Sequence, residues 1–150
     1  MYEFLNWQVR DVMSTPVTVP PEMSIQDAEK LLESEGFNTL PVVTRTGALL
    51  GVVSSIDLLS AFRFNDDESI LPQYSEVMKR PVSSVMSVDP QTVRPRTPLT
   101  RVLEKLAASR NKSFPVVDEG RVVGVVARED VMRALRQAEE GKSPGVMVEE

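Results

Sequence analysis

Apolar and polar positions along this chain follow strand and helix periods in turn, and the order of periods occurs twice. Two short segments, "VTV" at 17–19 and "QTV" at 91–93, are bounded by prolines, which cannot donate to a ladder; each predicts a brief strand. A helical period follows. In the first copy it is "SIQDAEKLLESE", with Ile25, Ala28, Leu31 and Leu32 on one face, Ser24 and Asp27 spaced as a capping box, and Gly36 as the stop. In the second copy it is "TPLTRVLEKLAASR", where Thr97 reads as the N-cap and Pro98 as the first helical residue. Next come two nearly continuous apolar runs joined by a glycine-containing turn, "LPVVTRTGALLGVV" and "FPVVDEGRVVGVV". They predict hairpins whose strands are buried on both faces. Each copy closes with a second helix, "SIDLLSAF" and "REDVMRAL".

The two copies align over residues 12–62 and 85–135 at a shift of 73 to 74. Each reads β-α-β-β-α in about 50 residues, too few to bury both faces of its own sheet. The expected fold is therefore α+β: two such repeats packed sheet to sheet with pseudo-twofold symmetry. The first repeat is expected over 9–62 and the second over 82–138. Residues 63–81 are polar and read as a linker, within which "ILPQYSEVM" predicts a short docked helix. Residues 139–150, rich in Gly, Ser, Pro and acids, read as a flexible tail.

Composition narrows the chemistry. Among 150 residues there is no Cys and no His. Disulfides, thiolate metal sites, thiol nucleophiles and Ser-His-Asp catalysis are excluded, and an enzyme is not expected. No metal is expected. No apolar run reaches the roughly 20 residues of a membrane helix, and the first residues lack the pattern of a signal peptide. The reading is a cytoplasmic protein that contacts neither membrane nor nucleic acid, in keeping with a net charge of −5. The charge is uneven. Residues 1–80 hold 6 Lys/Arg and 12 Asp/Glu, net −6, whereas residues 81–138 hold 10 and 6, net +4.

The informative motif lies at each final strand-to-helix turn. "GVVSSIDLL" places Gly51, Ser54 and Asp57 at intervals of three, and "GVVAREDVM" repeats the frame with Gly124, Ala127 and Asp130. By itself an acid there is either a helix-start residue favoured by the dipole or an acceptor aimed at a ligand.

The ordered set of "VM", "P-x-T-V", "LPVV" or "FPVV", and G-x-x-[ST]-x-x-D, met twice over roughly 9–138, resembles a tandem cystathionine β-synthase (CBS) domain pair, or Bateman module. The resemblance implies a regulatory module that binds an adenosine-containing ligand (AMP, ADP, ATP or S-adenosylmethionine) in clefts between the repeats. Such a ligand is a signal and not a catalytic cofactor. It also implies a homodimer whose effector is another, unknown protein. Asp57 would accept both ribose hydroxyls, since an ionised carboxylate offers two oxygens and no donor. Ser54 would donate to ribose or phosphate. Thr18, the segment 14–19 and the backbone near Asn38 and Thr39 would hold the adenine. Lys112 first and Arg128 second would meet a phosphate. Asp130 would be the ribose acid of a second, weaker cleft, because Ala127 lacks the Ser54 hydroxyl. The competing expectation is a ligand-free dimeric interaction scaffold.

Overall fold

A computed structural model describes residues 2–63 and 74–144. Residues 64–73 of the expected linker and 145–150 of the expected tail lie outside the described residues. The architecture is mixed α+β, in two compact units: residues 17–90, and residues 1–16 together with 91–150.

In the unit 17–90, Ser24 caps α1 (Ile25–Glu35) by accepting the Asp27 N–H at 3.1 Å. α1 buries Ile25, Ala28 and Leu32 and ends at Gly36. The hairpin of β1 (Thr39–Val43) and β2 (Leu49–Ser54) is antiparallel, with a register shift between Val42 and Val43. α2 (Ser55–Ser60) leaves β2 without a loop. α3 (Tyr74–Met78) buries Val77 and Met78 and is the described part of the helix expected in the linker. β3 (Ser87–Val88) then pairs with β2, setting Val88 opposite Gly51 and Ser87 opposite Val52. Val19, Leu40, Val53, Leu58 and Val82 share this unit's core.

The other unit repeats the plan. It holds α4 (Leu99–Ala108), the hairpin of β4 (Ser113–Asp118) and β5 (Arg121–Ala127), and α5 (Arg128–Glu139). Its hairpin carries the matching register shift, between Val116 and Val117. The N-terminal segment is built into this unit. Residues Tyr2–Asn6 and Val9–Asp11 form 3-10 turns, and Phe4, Val9 and Val12 are buried with Leu99, Phe114 and Val131.

Several expectations change. The strands read at "VTV" and "QTV" shrink to single parallel bridges, Val19 to Val42 and Val93 to Val116. The flanking prolines leave too few donors for a longer ladder. Thr97 is not the N-cap of α4. Its hydroxyl accepts the Arg94 N–H at 3.0 Å and closes the preceding turn, so Pro98 takes the cap position and the helix starts at Leu99. That start matches Ile25 at a shift of 74. Burial on both faces holds for the first strand of each hairpin but not the second, where Leu50 and Val123 are exposed. α5 runs to Glu139, four residues past the expected Leu135, because Gln137 and Ala138 are buried.

Candidate functional site

Each strand-to-helix turn makes one site within its own unit. At the first, Ser54 ends β2 with extended backbone and caps α2. Its hydroxyl accepts the Asp57 N–H at 3.3 Å, and its own N–H donates to Asp57 Oδ2 at 2.8 Å. The two residues thus satisfy orphan N–H groups at the helix start reciprocally, as Ser and an acid three residues apart should. The Ser54 hydroxyl also donates to Oδ2, at 3.0 Å. Capping therefore occupies one carboxylate oxygen. The other, Oδ1, accepts the Ser87 hydroxyl at 3.2 Å, among the described residues. Asp57 is half-buried and Ser87 exposed.

Gly51 is what lets Ser87 come near. A Cβ at that position would lie 2.5 Å from the Ser87 carbonyl oxygen. The second copy has the same close approach, with a Cβ at Gly124 lying 2.7 Å from Met13 Sδ and 3.2 Å from the Ser14 carbonyl oxygen. Ser14 bridges Val125 through two backbone hydrogen bonds, and its hydroxyl reaches Asp130 Oδ1 at 3.4 Å. The triplet "VMS", at 12–14 and again at 85–87, thus delivers a serine to one carboxylate in each unit.

The two carboxylates differ in their other partners. Asp130 Oδ2 accepts the Ala127 N–H at 2.8 Å, but no hydroxyl stands at 127. Asp130 Oδ1 accepts Arg133 Nη2 at 2.7 Å, an i,i+3 ion pair with the Asp130 side chain 8% exposed.

The expected site residues fall into three groups. Thr39 lies opposite Ser54 across the hairpin, and exposed Asn38 precedes it. Thr18 is exposed in a separate depression of about 580 Å³ with Pro20, Glu22, Thr44, Arg45 and Leu50, and Asp57 does not line it. Ser14, expected with Asp57, stands in the other unit beside Asp130. Lys112 and Arg128 are exposed in that same unit and joined by an Arg128 N–H to Lys112 carbonyl bond of 3.0 Å. The sequence reading missed Ser87 and Arg133. The serine recurring after each "VM" was the signal for the first; an Arg three residues after Asp130 was the signal for the second.

The sequence matches the family described as "CBS domain" twice, over residues 9–63 and 82–137. The chain belongs to the CBS domain family. This CBS pair is similar in structure to CBSX2 of Arabidopsis thaliana, solved in complex with AMP, with a TM-score of 0.76 and 31% identity, covering 89% of this chain and 98% of that one. It is also similar to the CBS domain pair of protein MJ0100, solved with 5′-methylthioadenosine and S-adenosyl-L-methionine; the TM-score is 0.70 at 28% identity, over 88% of this chain and 98% of that one. In sequence, 136 residues are 32% identical to the A-adding tRNA nucleotidyltransferase of Aquifex aeolicus, covering 90% of this chain. The chain spans 15% of that enzyme and 58% of the full CBSX2 sequence. Among the described residues, no helix is long and apolar enough to cross a membrane, and no cluster of acids could hold a metal ion.

Proposed function

We propose that this CBS pair is a regulatory module that senses an adenosine-containing ligand, with the ligand's ribose hydroxyls on Asp57. The observation that carries the reading is the division of the Asp57 carboxylate: Oδ2 serves the helix cap, while Oδ1 holds a neutral hydroxyl that a ribose hydroxyl can replace. A carboxylate offers about four lone-pair positions, so Oδ1 has room for two donors once Ser87 turns aside. The solved relatives bound to AMP, and to 5′-methylthioadenosine with S-adenosylmethionine, support the ligand class. Thr39 and Asn38 flank the same turn and are assigned to the adenine side. Thr18 would join them only if the ligand extends to its depression.

A thermal-shift panel of AMP, ADP, ATP, NAD and S-adenosylmethionine tests the reading, with a shift expected for at least one of the adenosine compounds. No shift with any of them at millimolar concentration would favour the scaffold reading, which has its own support in the exposed apolar residues Ile56 and Leu59 on α2. Lys112, then Arg128, are assigned to a ligand phosphate. AMP should then bind more tightly than adenosine, and Lys112→Ala should close most of that gap without changing adenosine affinity. Equal binding of AMP and adenosine to the unaltered protein would remove both cations from the site. The module is proposed to act as a homodimer on a separate effector protein.

A further inference from the structure

We propose that Arg133 closes the second copy of the site by taking the carboxylate oxygen that a ribose would need. The inference rests on the reading of Asp57 as the ribose acceptor and concerns a position, three residues past the acid, that differs between the two turns.

On both acids Oδ2 accepts the N–H of the cap residue at 2.8 Å, and at Asp57 it also takes the Ser54 hydroxyl, which Ala127 cannot supply. Both present Oδ1 to a serine delivered by "VMS". At Oδ1 the difference is the added donor at Asp130, the Arg133 guanidinium. A neutral hydroxyl on Asp57 Oδ1 can be exchanged for a ribose hydroxyl at little cost, because the bond lost and the bond gained are alike. The guanidinium on Asp130 Oδ1 cannot. Its 2.7 Å contact is charge-assisted, and such bonds are roughly twice as strong as neutral ones. The Asp130 side chain is only 8% exposed, so water screens the pair weakly. A sugar would have to replace a cation with neutral donors in a largely buried place.

The residue equivalent to Arg133, at a shift of 73, is Ser60. Its hydroxyl donates to the Asp57 backbone carbonyl and leaves the carboxylate alone. A serine in one copy and an arginine in the other, three residues past the acid on the same helix face, thus leave one carboxylate exchangeable and fill the other.

The test is calorimetric titration with AMP of the unaltered protein, Arg133→Ser and Asp130→Ala/Arg133→Ser, with circular dichroism confirming that each is folded. The unaltered protein should bind one AMP per chain, Arg133→Ser two, and the double variant one again. Arg133→Lys, which keeps the cation, should remain at one. If Arg133→Ser stays at one while folded, or if the unaltered protein already binds two, Arg133 does not close the site, and the ribose reading of Asp57 stands if Asp57→Ala then loses one AMP and fails if it loses none. If the unaltered protein binds none and Arg133→Ser binds one, the closure holds and the Asp57 reading fails. If neither binds AMP, both are overturned.

Discussion

Asp57 has two tasks on two oxygens, and they are separable by measurement. Asp57→Ala removes the ribose acceptor, and losing a hydrogen bond to a charged group costs about 1.5–3 kcal/mol, roughly ten- to a hundredfold in affinity. It also removes the reciprocal half of the α2 cap, so a stability loss of about 0.5–2 kcal/mol should accompany it. Ser54→Ala removes the other half of the cap together with the hydroxyl expected to meet ribose or phosphate, so it should lower both stability and affinity. Asp130→Ala should leave ligand affinity unchanged and lower only the melting temperature, because its carboxylate is committed to Ala127 and Arg133. Equal affinity losses at the two acids, read by calorimetry, would mean that the turns are equivalent after all. At Gly51 the constraint is steric: a methyl group 2.5 Å from the Ser87 carbonyl must push β3 away from β2. Gly51→Ala should destabilise by about 1–3 kcal/mol, the usual range for overpacking, and should also disturb Ser87. A melting temperature within a degree or two of the unaltered protein would show that β3 yields freely.

At the scale of elements, the helices and hairpins were legible because each carries its own period. Ile25, Ala28 and Leu32 mark α1 without reference to the rest of the chain, and the hairpins announce themselves by length and by the glycine turn. What was not legible depends on residues far apart in sequence. "VTV" looks like a strand, yet its pairing is one bridge from Val19 to Val42, set by where the prolines cut the ladder. Thr97 has every attribute of a cap, but the turn from Arg94 claims its hydroxyl first. Of the candidate site, the G-x-x-[ST]-x-x-D frame could be read from spacing, whereas Ser87 lies 30 residues from Asp57 and Ser14 lies 116 from Asp130. No local pattern joins those pairs. The N-terminal segment is the sharpest case: Phe4 is 4% exposed and meets Trp7 edge-on at 6.2 Å, though its stretch has no helical or strand period. Phe4→Ala should cost about 3–5 kcal/mol, as for other buried aromatic truncations. Urea unfolding measures this, and a loss below about 1 kcal/mol would show the segment to be dispensable to its unit's core.

For the whole molecule, the uneven charge and the exposed apolar residues lead to one prediction about assembly. In the unit 17–90, α1 and α2 bound an apolar depression of about 540 Å³ that includes Leu32, Phe37, Leu59 and Phe62 and is edged by Glu29 and Glu33. In the other unit, α5 sets exposed Met132 between Arg128 and Arg136, four residues to either side on one helix face, and with Arg133 these arginines outnumber the acid beside them, Glu129. An acidic rim around an apolar hollow and a basic rim around an apolar knob are complementary, and like charges facing each other would oppose the other arrangement. If the module is the homodimer proposed above, the α1–α2 face of one protomer should therefore meet the α5 face of its partner, and not its own counterpart. Light scattering should give twice the 16.7 kDa of the chain, and Leu59→Glu or Met132→Glu should return it to the single mass. Added salt should weaken the dimer without abolishing it, since the rim charges are screened and the apolar contact is not. The chain has no cysteine, so orientation can be read directly by introducing one. Mixing Glu33→Cys protein with Arg136→Cys protein under oxidising conditions should give the mixed crosslink in preference to either self-crosslink. Efficient self-crosslinking of Glu33→Cys alone would reverse the orientation, and a single-chain mass at micromolar concentration would remove the dimer altogether.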